Sequence, residues 1–277
     1  MWSEPEAAVS LRRQDSSERW EAFAAFEGET MVGVGIAEFP LLDNTDKLYF
    51  HVDAAPGLRR RGIGTSLVAH VVDRAKTEGR SVLIGEAHYP IDAGEDHPYR
   101  RFAAACGFDL ANREMHRVLE LPVPDETIQG WVDECAPHHE GYGIETYVDD
   151  FPDVLLPSYV QLLNQLVLDA PTGDIDFEEE ALTVDGFKER QAKLEEQGRT
   201  IYVPNLYQWA TLVARAHRGH RLGLATKARN LREVQNAHPD RTMVHTSNSD
   251  ANGPMVAINE RIGFRPVEVH AEFQRKL

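Results

Sequence analysis

Cysteine is scarce: the two in 277 residues, Cys106 and Cys135, lie in different halves and make no zinc site of ordinary spacing. Cys106, beside Phe102 and Ala105, reads as a buried thiol or, less simply, as a nucleophile. No apolar run approaches the roughly 20 residues of a membrane span. The opening Met1-Trp2-Ser3-Glu4-Pro5-Glu6 is acidic where a signal peptide is basic and then apolar, so a cytoplasmic protein is expected, with no membrane partner. Positive charge is short as well. Twenty-nine Lys and Arg stand against 45 Asp and Glu, a net charge of −16, which argues against nonspecific binding to nucleic acid or to an anionic membrane. With 42% hydrophobic and 27% charged residues, the composition is that of a globular chain long enough for two cores.

What is present is a repeated pattern. The strand-like run Leu48-Tyr49-Phe50-His51-Val52 leads into Pro56-Gly57-Leu58-Arg59-Arg60-Arg61-Gly62-Ile63-Gly64-Thr65. A helix follows, with Ile63, Leu67, Val68, Val71, Val72 and Ala75 at helical spacing. Strand, glycine turn and helix N-terminus form an anion cradle, because the glycines admit a ligand close to backbone N–H groups that the helix leaves unpaired. A second copy runs from strand-like 206–213, ending in Leu212-Val213, through Arg218-Gly219-His220-Arg221-Leu222-Gly223 to a helix carrying Leu224, Ala228 and Leu231. Each copy is followed by a strand, a short helix and a Gly-Phe pair, Gly107-Phe108 and Gly263-Phe264. Neither loop is followed by Gly-Lys-Ser/Thr, which weighs against a nucleoside triphosphate.

Arg59-x-x-Gly62-x-Gly64 resembles the pyrophosphate loop of the GCN5-related N-acetyltransferases (GNAT), and Asn252…Gly263-Phe264 resembles that family's closing helix and strand. The ordered pair looks like a tandem acetyltransferase of the mycothiol-synthase-like kind. The resemblance implies an α/β (α+β) fold of two tandem domains, each a mixed, mostly antiparallel sheet flanked by helices. It also implies acetyl-CoA as co-substrate, a primary amine as acceptor, and no metal. Val52, Arg59, Arg60, Arg61, Gly62, Ile63, Gly64 and Thr65 would hold coenzyme in the first copy. Leu212, Val213, Arg218, Gly219, His220, Arg221, Leu222, Gly223 and Leu224 would do so in the second. Asn248 would offer an amide to the pantetheine arm, and Asn252 either caps a helix or faces the coenzyme.

The prolines of Leu121-Pro122-Val123-Pro124-Asp125 place a boundary near residue 123, with Asp125 capping the next helix. The expected domains are therefore 1–122 and 123–277. Residues 20–36 read as a hairpin turning at Glu27–Thr30, with little period before it. The family has a strand and two helices ahead of this hairpin, which makes the first domain look incomplete. In the second copy a strand is expected over 143–148 and helices over 154–168 and 185–197. Only Pro204 and Asn205 separate Val203 from Leu206, where the family has a hairpin and a further strand, so omitted residues are suspected there.

Two departures bear on chemistry. The family often places a thiolate-protonating tyrosine four residues before the Gly of Gly-Phe, and here those positions are Ala103 and Asn259. Arg221 stands where the first copy has Gly62. Tyr207, at the strand position where some members carry a catalytic glutamate, either feeds a water chain with Thr211 or packs in the core. Residues 123–200 hold 19 acidic against 4 basic side chains, which is either a solvated face or a funnel for a cationic acceptor. His88 and His97 with Glu86 and Asp96 fall on a loop without a fixed face, so no metal site is expected. Turnover is expected in the second domain, which keeps the helices that wall an acceptor. The other reading is a coenzyme-A-binding regulatory or scaffold protein without turnover. Neither acceptor identity nor oligomeric state is legible.

Overall fold

A computed structural model of the protein describes all residues except 1–3, 13–15, 149–150, 180, 198–201, 204–206 and 209–210. The contacts divide the chain into two compact units. The first is Met1–Arg113 with Thr172–Ala181 and His270–Leu277, and the second is Glu114–Pro171 with Leu182–Val269.

In the first unit, helix α1 (Glu4–Arg12) precedes the hairpin of β1 (Glu18–Glu27) and β2 (Thr30–Pro40). The hairpin was legible from alternation. The helix was not, because Val9 and Leu11 are its only large apolar residues. β2 pairs antiparallel with β1 and with β3 (Lys47–Ala54). After β3 a tight turn, Pro56–Leu58, leads into α2 (Ile63–Thr77), and β4 (Val82–Pro90) returns parallel to β3. Helix α3 (Pro98–Ala105) and strand β5 (Asp109–Glu120) follow, with Cys106 as the helix C-cap. The apolar stripe of α2 buries Leu67, Val68, Val71, Val72 and Ala75, as its spacing required, each worth about 1.5–3 kcal/mol for the larger side chains. Gly33 on β2 permits the approach, since a Cβ there would lie 2.8 Å from Ile63 Cγ2.

Residues alternate across a strand, so Tyr49, His51 and Asp53 lie on the sheet face away from α2. One end of that face is covered by a strap, Thr172–Ala181, whose Ile175 and Phe177 pack on Tyr49, Ile84 and Ala111. The strap is tied by its backbone. Asn44 N donates to Glu178 Oε2 (2.7 Å), Glu178 N donates to Asn44 Oδ1 (3.0 Å), and Asp174 N donates to Ala111 O (2.7 Å). Leu277 also returns here, its N donating to Ser81 O at 2.8 Å.

The second unit begins within β5, at Glu114, where that strand gains a pairing. From Glu114 to Glu120 it pairs antiparallel with a later strand, whose partners run from Ser249 to Met243. The expected single cut near 123 followed the prolines, whereas the contacts follow this pairing. Helix α4 (Asp125–Cys135) takes Pro124 as N-cap, so Asp125 is its first residue rather than its cap. The strand expected over 143–148 is only β6 (Tyr147–Val148). The long helix divides at Gln165 into α5 (Leu156–Asn164) and α6 (Leu166–Asp169), and α7 (Val184–Glu196) follows. Strand β7 (Tyr202–Val203) pairs antiparallel with β6, and β8 (Tyr207–Gln208) is much shorter than expected, 211–214 lying outside any strand. The suspected gap at Pro204-Asn205 lies outside the described residues.

Helix α8 (Leu222–Ala237), strand β9 (Met243–Ser249), helix α9 (Gly253–Ile262) and strand β10 (Arg265–Lys276) complete the chain. The core is built by Ile128 and Trp131 of α4, Leu224, Ala228 and Leu231 of α8, and Phe264. A second cluster, Leu156, Val160, Leu163 and Phe187, packs on Leu212 ahead of the second loop. Among the described residues no helix is long and apolar enough to cross a membrane.

Candidate functional site: two loops on one backbone plan

In the first loop, Arg60 (φ 66°) and Gly62 (φ 84°) are left-handed, and Gly62 is the N-cap of α2 without a side-chain bond. The first helical bond there is Ser66 N to Gly62 O, so the N–H groups of Ile63, Gly64 and Thr65 have no intrahelical acceptor. A Cβ on Gly62 would meet nothing within 4 Å, so the start of α2 is open at that residue. Gly64 is glycine for another reason: its Cβ would stand 3.0 Å from Phe102 Cζ of α3. The arginines face little opposing charge. Arg59 lies 5.9 Å from the Tyr99 ring centroid, and Arg61 is 3.9 Å from the exposed Glu27. Beside the loop the sheet opens. β3 and β4 pair only from Lys47–Phe50 to Val82–Gly85, although β3 runs on to Ala54, through Val52, and β4 to Pro90.

The second loop uses the same plan with glycine and arginine exchanged. Gly219 (φ 90°) and Arg221 (φ 53°) are left-handed, and Arg221 is the N-cap of α8. A non-glycine residue in that region costs about 1–2 kcal/mol. The N–H groups of Leu222, Gly223 and Leu224 precede the first helical bond, Ala225 N to Arg221 O. The arginines here are all engaged. Arg221 Nη1 donates to Glu134 Oε1 (2.6 Å), and Arg261 pairs with the other oxygen of the same carboxylate. Arg215 and Arg218 both hold Asp169, at 2.6 and 2.5 Å. Burial pushes the Asp169 carboxyl up, but Arg215 and Arg218 outweigh it and hold it below the usual range. The Arg261 bond does the same for Glu134. His220 Nδ1 lies 3.1 Å from His138 O, and Tyr142 Oη lies 3.0 Å from His217 Nδ1. Val213 O accepts from Arg218 Nε at 3.1 Å. Gly223 is the packing counterpart of Gly64, its Cβ position lying 3.1 Å from Ile258 Cδ1 and 3.9 Å from Thr211 Cγ2.

Other expected residues are placed as follows. Asn252 Oδ1 accepts from Met255 N at 3.4 Å, the capping geometry. The Asn248 amide faces inward: Oδ1 accepts from Arg117 Nη1 (3.0 Å) and Asn259 Nδ2 (2.9 Å), and Nδ2 donates to Ser249 O (3.0 Å). Tyr207 is in register with His245 on β9, and its side chain lies outside the described residues. The acidic stretch of the second half divides. Asp169 holds the second loop's arginines, while Asp174, Asp176, Glu178 and Glu179 belong to the strap on the first unit. His97 leaves the Glu86/His88 group to cap α3, its Nδ1 3.4 Å from Tyr99 N.

Three groupings were missed. Lys227 of α8 is buried and donates to Asn259 Oδ1 at 2.5 Å, extending the Asn248–Arg117 network, and burial pulls its pKa down to about 7. A lysine within the apolar stripe of Leu224, Ala228 and Leu231 was the available signal. In the second unit, His116 lies 3.2 Å from Glu268 Oε2 through Nδ1 and 3.0 Å from His245 Nδ1 through Nε2. In the first unit, His51 Nε2 lies 2.8 Å from Asp53 Oδ2, an i, i+2 pair that strand alternation places on one face. A groove lined by Phe151, Leu156, Lys188 and Gln191 contains no loop residue.

Residues 1–108 match the sequence model described as the acetyltransferase (GNAT) family. The fold of the whole chain is of the tandem GNAT type. A tandem GNAT protein from the clavulanic acid biosynthesis pathway, solved without AcCoA, is 22% identical at a TM-score of 0.74, over 99% of this chain and 88% of that one. A GCN5-related N-acetyltransferase from Sphaerobacter thermophilus is 12% identical at a TM-score of 0.59, over 99% and 85%. No curated protein matches the chain. The family match supports acyl transfer in general.

Proposed function

We propose that the protein is an N-acyltransferase that moves an acetyl group from acetyl-CoA to a primary amine of a small molecule or peptide. The pyrophosphate sits at Arg59–Thr65 of the first unit. One observation carries this reading: the start of α2 leaves the N–H groups of Ile63, Gly64 and Thr65 without a side-chain cap and is open at Gly62, following the strand that parts from β4 after Phe50. Arg59, Arg60 and Arg61 add positive charge at the rim. A backbone N–H of opened β3 polarises the thioester carbonyl, and the amine approaches over the face away from α2, part of which the acidic strap walls. The sequence placed turnover in the second unit. The structural arguments favour the first, because the strap supplies the wall it lacked and the second loop's arginines already hold carboxylates.

A coenzyme-A-binding scaffold without turnover is favoured by one feature, Ala103 and Asn259 at the tyrosine positions. Gly64→Asp and Gly223→Asp separate the readings, since each added Cβ meets a similar contact, at 3.0 and 3.1 Å. Calorimetry with acetyl-CoA and thiol release with amines should show Gly64→Asp losing about 100-fold in affinity and transfer, near 2.7 kcal/mol, with Gly223→Asp little changed. The reverse result assigns the site to the second unit. Binding without transfer to any amine supports the scaffold.

A further inference from the structure

This inference rests on acyl transfer at the first unit and concerns the group that takes the acceptor's proton. An amine reaches the enzyme mostly as ammonium and attacks only after losing a proton, so a base must stand where the strands open. β3 and β4 last pair at Phe50 and Gly85. The next residue on β3 is His51 and the next on β4 is Glu86. His51 shares its face with Asp53, and on β2 the residues in register with the two are Ile36 and Val34, an apolar flank. The strap covers the other end of this face, at Tyr49 and Ile84, and both side chains of the His51–Asp53 pair are about three-fifths exposed. An ion pair so exposed contributes only about 0–1 kcal/mol, so stability does not account for it.

The hydrogen bond selects a tautomer. An ionised Asp53 only accepts, so the His51 nitrogen facing it, Nε2, carries the hydrogen and Nδ1 keeps the lone pair. Burial pushes the Glu86 carboxyl up, but contact with His270 and the imidazoles of His270, His88 and His51 outweigh it, so Glu86 is held ionised. His270 Nε2 lies 3.3 Å from Glu86 Oε2, and the His88 ring stacks on His270 at 4.4 Å.

We infer that His51 is the catalytic base of acyl transfer in the first unit, with Asp53 its positioning residue and the Glu86 carboxylate the anchor for the acceptor's ammonium group. The ammonium gives one proton to His51 Nδ1. The freed nitrogen bonds to the thioester carbonyl carbon, and the adduct expels coenzyme A as thiolate, breaking the C–S bond. The thiolate takes the second N–H proton, and His51 returns the first to solvent. The sequence of the second copy carries no such pair at the matching positions. Aligned on its loop or on its strand pairing, the position of His51 falls on Ala210 or Trp209 and that of Asp53 on Leu212 or Thr211.

The test follows thiol release from acetyl-CoA with spermidine, ethanolamine and phenethylamine as probes across a pH series, with acetyl-CoA affinity read by calorimetry. His51→Gln should lower kcat by about 10²–10⁴-fold, flatten the fall in activity toward acid pH, and leave coenzyme affinity unchanged. Free imidazole should restore part of the rate to His51→Gly. Asp53→Asn should lower kcat and alter the pH profile, and Glu86→Gln should raise the KM for amine more than it lowers kcat. His245→Phe, in the second unit, should change none of these. A wild-type rate and acid limb in His51→Gln would overturn the assignment while leaving acyl transfer intact. Acetyl-CoA binding without thiol release on any probe would sink the acyl-transfer reading, and the base with it.

Discussion

The two loops show how one backbone serves two electrostatic states. Both place left-handed residues two apart at the start of a helix, Arg60 and Gly62 in one and Gly219 and Arg221 in the other. Where the glycine occupies the N-cap, the helix start is open and its arginines face outward. Where the arginine occupies it, Glu134 and Asp169 take guanidinium groups suited to a pyrophosphate. Conformation alone therefore does not make a cradle. The charge left unanswered around it does.

The contrast continues behind the loops. Counting from the N-caps, Val68 of α2 corresponds to Lys227 of α8, and counting from Gly-Phe, Ala103 corresponds to Asn259. The first unit is apolar where the second holds a buried lysine and an amide. The largest expected effect follows from this exchange. Lys227 has a folded-state pKa near 7, below its unfolded value. Between about 7 and 10.5 the unfolded chain binds the extra proton, so wild-type stability should rise with pH by up to about 1.4 kcal/mol per unit in that window. In Lys227→Val this slope should vanish, and the stranded Asn259 oxygen should cost about 1–3 kcal/mol. Adding Asn259→Ala should recover part of that cost. Urea unfolding at pH 7, 8 and 9 measures all three, and an unchanged slope in Lys227→Val would show that the lysine is charged in place.

A smaller effect separates the loops themselves. Asp169→Asn with Glu134→Gln frees the arginines of the second loop, and its affinity for acetyl-CoA should rise about tenfold, near 1.4 kcal/mol. The gain should fall with added salt, because these groups are exposed enough to be screened. Calorimetry on a Gly64→Asp background, where the first loop is closed, isolates the second. No gain would mean that the left-handed Arg221 blocks the helix start by its bulk.

The smallest concerns backbone strain. Arg60→Gly relieves about 1–2 kcal/mol of left-handed strain and adds about 0.5–1 kcal/mol of unfolded-state freedom, so stability should rise by about 0–1.5 kcal/mol. Thermal unfolding reads it. A loss would mean that the Arg60 side chain makes a favourable contact that outweighs its strain.

Much of this comparison was written in periodicity. The α2 stripe, the hairpin and the doubled loop all follow from spacings of two and three to four, and Asn252 caps α9 as its type suggested. What was not legible depends on pairing across long sequence distances. Nothing in residues 172–181 marks them as cover for a sheet encoded about 60 to 130 residues earlier, and β5 reads as one strand although it pairs with β9 only from Glu114. The inward turn of the Asn248 amide depends on Arg117 and Asn259, neither of them a sequence neighbour. His51 and Asp53 were visible as letters but gained meaning only once β3 and β4 were seen to part after Phe50 and Gly85.

The strap and the returning C-terminus also set a schedule for synthesis. Domains generally fold in order as they emerge, at roughly 5–20 residues per second. The first unit departs from that order: its hairpin, helix and loop are made early, but Ile175 and Phe177 arrive only after α4 and α5, and Leu277 later still. During an interval of about 3–13 seconds, the face of Tyr49, Ile84 and Ala111 waits without its cover. The unit that starts first is completed only by residues that follow the second, and a ribosome stalled before His270 leaves it unfinished.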